Sequence, residues 1–145
     1  MTDRLCAIAA ASAYLLAALA AGARGIYLWL DCVNGRPWSW WPAALLVGAA
    51  LLIIASGLNA TGHRHSCAKL AIIGSAELAF FYVPAFGYTI GGYLASFQAV
   101  PATKLLGPAA EFIAVIGSLG LAIVVLLQHN REAPRSGSAQ WQGSP

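Results

Sequence analysis

Four long apolar runs, separated by short polar stretches, decide what this chain is able to fold into. They cover about residues 5–30, 42–58, 70–97 and 105–128. A helix needs about 20 mainly apolar residues to cross a bilayer. Three of the runs have that length, and the second is shorter but carries no charge. Inside lipid every backbone N–H and C=O must be satisfied within the protein, which favours helices for runs of this kind. Charge points the same way. Only 9% of the 145 residues are charged, against roughly 25% in a soluble domain. So few charges cannot cover a water-facing surface. The expectation is an all-α membrane protein with a four-helix transmembrane domain over 1–130. Short connections place consecutive helices antiparallel, as in an up-down bundle. Residues 131–145 are polar and rich in Gly, Ser and Pro, and read as a disordered tail.

Basic residues set the orientation of such a bundle. With an even number of spans, the N-terminus, the second connection and the tail share one side. That side holds Arg4, Arg64, Lys69, Arg131 and Arg135; the other holds Arg36 and Lys104, with Arg24 near a helix end. Both termini are therefore expected in the cytoplasm. "LAAGARG" offers small residues in a cleavage-like pattern. The single Arg of the leading segment is offset by Asp3, however, and the apolar run exceeds the 7–15 residues of a signal sequence. The first span is expected to stay. The alanine-rich, lysine-poor composition suggests a bacterial plasma (inner) membrane. The net charge of +3 is scattered along the chain, without the basic face that nucleic-acid binding needs.

Ionisable residues at membrane depth are costly and are functional candidates. There are three: Arg24, Glu77 and Glu111. At 1.5 Å per residue, Arg24 lies about 10 Å inward of Asp31, near the outer edge of the hydrocarbon. Glu77 lies about 12 Å past Lys69, in the inner leaflet. Glu111 follows Pro108 at the start of the fourth span, in the outer leaflet and near Arg24 in depth. An Arg24–Glu111 ion pair joining the first and fourth spans is expected, and no basic partner is evident for Glu77. On helical spacing Glu77 shares a face with Phe81, Pro84, Tyr88 and Gly91. Pro84 should kink the helix, and Gly87 and Gly91 have the spacing that lets two helices approach closely. This face is expected to point into the bundle or into an oligomer contact. Glu77 would then be protonated and bonded to Ser12, Tyr14, Ser56 or Ser118, paired with a partner's base, or engaged in proton exchange.

Two further clusters attract attention. Trp29, Trp38, Trp40 and Trp41 surround the outward loop "DCVNGRPWSWWP". They suit an interfacial aromatic belt, or a contact for a lipid, an apolar ligand or a subunit. His63, His65 and Cys67 alternate in the second connection. On an extended chain they would point to one side with ligand types that zinc and copper favour; Cys6 and His129 are conceivable additions. The spacing lacks the usual zinc pairs, so a metal ion is a weak candidate cofactor. Cys6, Cys32 and Cys67 contain no CxxC, and only Cys32 is expected outside, which argues against a structural disulfide. No nucleophile elbow, HExxH or phosphate-binding glycine loop occurs.

The stretch "PAALLVGAALLIIASGL", followed by a short basic turn and another span, resembles the middle section of the small DoxX-type membrane proteins. The resemblance covers that span pair, and no functional residue follows from it. Three functions stand in order. The first is a non-catalytic subunit or accessory protein of a membrane assembly. The second is an oligomeric proton-coupled transporter or channel using Glu77. The third is a metal-binding membrane protein using His63, His65 and Cys67. The expected partners are the lipid bilayer and other membrane subunits or further copies of the chain.

Overall fold

The computed structural model of the chain describes residues 2–35, 37, 39–95 and 102–136. Four helices account for nearly all of them: α1 (Thr2–Val33), α2 (Trp41–Ala60), α3 (Arg64–Ala95) and α4 (Ala102–Ser136). Each is long and apolar enough to cross a membrane. Helix α4 continues past Gln128 through Ser136, so the boundary that composition placed at residue 130 falls inside it. Extending a helix that already exists costs little, and Arg131, Glu132 and Ala133 are good helix formers. Residues 137–145 of the expected tail lie outside the described residues.

The connections follow from local chemistry. Helix α2 opens with Pro42 in its first turn, where the missing N–H is harmless, and the Ser39 hydroxyl accepts from the Trp41 N–H at 3.3 Å. At its C-terminus, Gly62 takes a left-handed φ of 86°. The His63 N–H reaches the Leu58 carbonyl at 3.0 Å and the Gly62 N–H reaches the Asn59 carbonyl at 3.2 Å. This is the paired closure of a Schellman ending, and α3 begins at once. Helix α3 then runs through Pro84 without interruption.

The helices form a closed ring, in which α1 touches α2 and α4, and α3 touches α2 and α4. Water cannot drive helices together inside lipid, so close contact and hydrogen bonds must. The buried stripe of α1 is accordingly Ala10, Tyr14, Ala17, Ala18 and Ala21, spaced three and four apart so that one face meets its neighbours. Two glycines bring α2 and α3 together. A Cβ on Gly74 would lie 3.0 Å from Leu51 Cβ and 3.2 Å from the Gly48 carbonyl, and a Cβ on Gly48 would lie 2.7 Å from Leu78. Gly25 lets α1 approach α2, since a Cβ there would stand 3.2 Å from the Pro42 carbonyl.

Polar side chains tie the same seams. The Asn59 amide donates to the Ala7 carbonyl at 2.7 Å and the Ser56 hydroxyl to the Ala11 carbonyl at 3.4 Å, joining α2 to α1. Ser75 and Ser118 join α3 to α4 at 2.7 Å, both fully buried. Ser118 also donates to the Val115 carbonyl at 2.8 Å, which makes Ser75 the donor in the pair. Interhelical bonds of this kind contribute about 1 kcal/mol. Ser118→Ala is expected to lower the unfolding free energy of the detergent-purified chain by about that amount, read from denaturant-induced loss of helicity. An unchanged midpoint would show that the pair contributes nothing.

Candidate functional site

The most developed site lies between the C-terminal halves of α1 and α3 and the N-terminal halves of α2 and α4. All four helices line it, and its volume is about 150 Å³. Helix α1 supplies Arg24 and Leu28, and α4 supplies Pro108 and Glu111. Trp41 and Leu45 come from α2, and Phe81, Tyr82 and Phe86 from α3. The helical period explains the grouping. Tyr82 and Phe86 are four apart on one face of α3, and Phe86 stacks on Phe112 of α4 with ring centroids 4.9 Å apart. Phe81 is seated by α2, with its ring edge-on to Trp40 at 5.3 Å and to Trp41 at 4.9 Å.

Depth arithmetic placed Arg24 and Glu111 at one level, and the structure brings both to this pocket. Their surroundings differ. Arg24 is exposed, at the rim, with its guanidinium 6.0 Å from the centroid of the Tyr27 ring. Glu111 is half-buried. The sequence reading missed Tyr82, which is only 8% exposed. Its phenolic oxygen is within electrostatic reach of both Glu111 and Arg24. It lies close to the Glu111 carboxyl, yet no hydrogen bond of ordinary geometry reaches it. The available signal was its place one residue after Phe81 and four before Phe86, among aromatics.

Glu77 lies elsewhere. It is half-buried, at the edge between the packed face of α3, with Ser75, Leu78 and Phe81, and the exposed face, with Ile73 and Phe80. Three of its four expected partners are otherwise disposed. Ser56 bonds to Ala11 and Ser118 to Ser75 and Val115. The Tyr14 hydroxyl is buried without a hydrogen bond, near Cys67 and Cys6. Ser12 is exposed.

The expected common face of α3 divides. Phe81 is buried, whereas Pro84, Gly87, Tyr88 and Gly91 are exposed. A Cβ on Gly87 or Gly91 would meet nothing within 4 Å. The face therefore does not point into the bundle along its whole length. Above Phe81, contact with α4 is made by the Tyr82 and Phe86 side of the helix, which turns the glycines outward.

The histidine–cysteine cluster also changes. It was read on an extended chain, but the Schellman ending of α2 starts α3 at Arg64, and the Cys67 N–H bonds to the His63 carbonyl at 2.9 Å as in a helix. Side chains two apart on a helix point to different sides. His63 is exposed beside Thr61, with its Nδ1 3.2 Å from the hydroxyl, while Cys67 is buried in the core. Among the described residues no three His, Cys, Asp or Glu side chains are grouped to hold a metal ion. The Cys6 thiol is directed at the Gln128 amide oxygen at 4.0 Å, and the His129 side chain lies outside the described residues. Cys6, Cys32 and Cys67 are free thiols.

Of the tryptophans, Trp29, Trp40 and Trp41 are exposed, and Trp40 and Trp41 stack at 5.9 Å. Trp38 lies outside the described residues, as does Arg36.

The fold defines a class, an all-helical bundle of four membrane-length helices. No family model, curated protein or solved structure matches this chain, so the likeness of the middle span pair to DoxX-type proteins gains no support.

Proposed function

We propose that the chain is a non-catalytic subunit of a larger membrane assembly, held in a bacterial plasma (inner) membrane as an up-down bundle with both termini cytoplasmic. The orientation rests on the excess of basic residues on the side of Arg4, Arg64 and Lys69. The observation that carries the functional reading is the outer face of α3. Tyr88 is 87% exposed, and Gly87 and Gly91 leave open space beside it. The chain uses Gly25, Gly48 and Gly74 for its own close packing and leaves this pair unused. Paired small residues at this spacing suit the backbone of another helix. Tyr88 then supplies a phenol for hydrogen bonding beside the groove, and Glu77, about three turns earlier, takes a donor or a base from the same partner.

Purification from native membranes in mild detergent tests this. The wild-type chain is expected to bring down one other membrane protein in fixed ratio. A Gly87→Leu/Gly91→Leu variant is expected to come alone, at unchanged thermal stability. A homo-oligomer in place of a second protein would favour the transporter reading. A wild-type chain that purifies as a monomer would overturn the proposal.

A further inference from the structure

The pocket between the four helices has an order of charge that the subunit reading does not use. Its rim carries a cation, Arg24, exposed and resting by Tyr27. Within it stands a half-buried carboxyl, Glu111, beside the buried hydroxyl of Tyr82. The aromatic rings of Trp41, Phe81 and Phe86 complete the wall. Lining charges cancel, so neither a simple anion nor a simple cation is matched. The pocket suits a group with its positive end inside and its negative end at the rim.

We propose that this pocket binds the headgroup of a zwitterionic phospholipid with a primary ammonium, of the phosphatidylethanolamine type. The ammonium enters first. It donates to Glu111 and to the Tyr82 oxygen, and aromatic faces around it add cation–π attraction. The phosphate stays at the rim, where the Arg24 guanidinium donates to its oxygens. In such a lipid the phosphate stands between the ammonium and the acyl chains, so this direction of entry leaves the chains outside in the bilayer. Volume agrees. About 150 Å³ is the size of a cavity that takes one small ring; it holds a headgroup and excludes a whole lipid. The same space discriminates. A quaternary trimethylammonium is bulkier and has no N–H for Glu111. A glycerol headgroup leaves the carboxyl without a cation.

The test is native mass spectrometry of the detergent-purified full chain, offered equal amounts of phosphatidylethanolamine, phosphatidylcholine and phosphatidylglycerol with matched acyl chains. Phosphatidylethanolamine is expected to be retained about tenfold over each of the others, the ratio that one charge-assisted hydrogen bond supplies. Glu111→Gln is expected to abolish the preference over phosphatidylcholine. Arg24→Gln is expected to weaken both phosphate-bearing zwitterions alike. Tyr82→Phe keeps the packing and removes only the hydroxyl, so it serves if Glu111→Gln fails to fold; it is expected to reduce the preference severalfold. Equal retention of the three lipids by the wild type, or a preference unchanged in Tyr82→Phe and the folded charge variants, would overturn the proposal.

Discussion

Gly74→Val is expected to cost the isolated chain about 3 kcal/mol, at the upper end of what overpacking a tight site costs, while Gly87→Val and Gly91→Val are expected to change stability by less than about 0.5 kcal/mol. All three are glycines in the same helix. They differ in what a side chain would meet. At Gly74 the obstacles are Leu51 Cβ at 3.0 Å and the Gly48 carbonyl at 3.2 Å. Both are fixed to backbone, so the helices must separate. At Gly87 and Gly91 nothing stands within 4 Å. Gly48 gives an internal check. Its obstacle is the side chain of Leu78, at 2.7 Å and fully buried. Gly48→Ala and Leu78→Ala should each destabilise, and the double variant should lose less than the sum, because the second change removes the clash of the first. Denaturant titration in detergent reads all of these. Equal losses at Gly74, Gly87 and Gly91 would show that α3 packs by a different face.

Glu77→Leu is expected to stabilise the isolated chain by about 2 kcal/mol and to weaken its association with the proposed partner subunit. A carboxyl at membrane depth carries a cost of that order. Glu77 stands half-buried at the margin of the core, while Ser56 and Ser118, which were candidates to hold it, bond elsewhere. A carboxyl that costs stability in the separate chain fits the partner contact proposed for it. Glu77→Gln keeps a polar side chain of the same shape. It should fall between wild type and Glu77→Leu in stability and preserve more of the association. Loss of stability in Glu77→Leu would mean that the acid holds the chain's own helices, and the partner-contact role would fall.

The four spans were legible because hydrophobicity over about 20 residues is set by the bilayer alone. The common level of Arg24 and Glu111 was legible for a similar reason, since a fixed rise per residue converts sequence into depth. What depends on neighbours was harder to read. The period of α3 groups Glu77, Phe81, Pro84 and Tyr88 on one stripe, but period does not say where α2 and α4 stand. The aromatic contacts of Phe81 with Trp40 and Trp41, and of Phe86 with Phe112, decide which part of the stripe is covered. The His63–Cys67 cluster was misread through one glycine. A left-handed Gly62 closes α2 so tightly that no extended residues remain before α3. Tyr82 was passed over because a tyrosine among aromatics looks like packing until its hydroxyl is found beside Glu111.

The central claim is that the outer face of α3 touches another protein in the membrane. A photoreactive amino acid in place of Tyr88, activated in intact native membranes, tests it most directly. The same residue in place of Leu19, which is 69% exposed on α1, provides the comparison. The account predicts one discrete protein adduct from position 88, lost in the Gly87→Leu/Gly91→Leu background, and lipid adducts alone from position 19. Lipid adducts alone from both positions would contradict it.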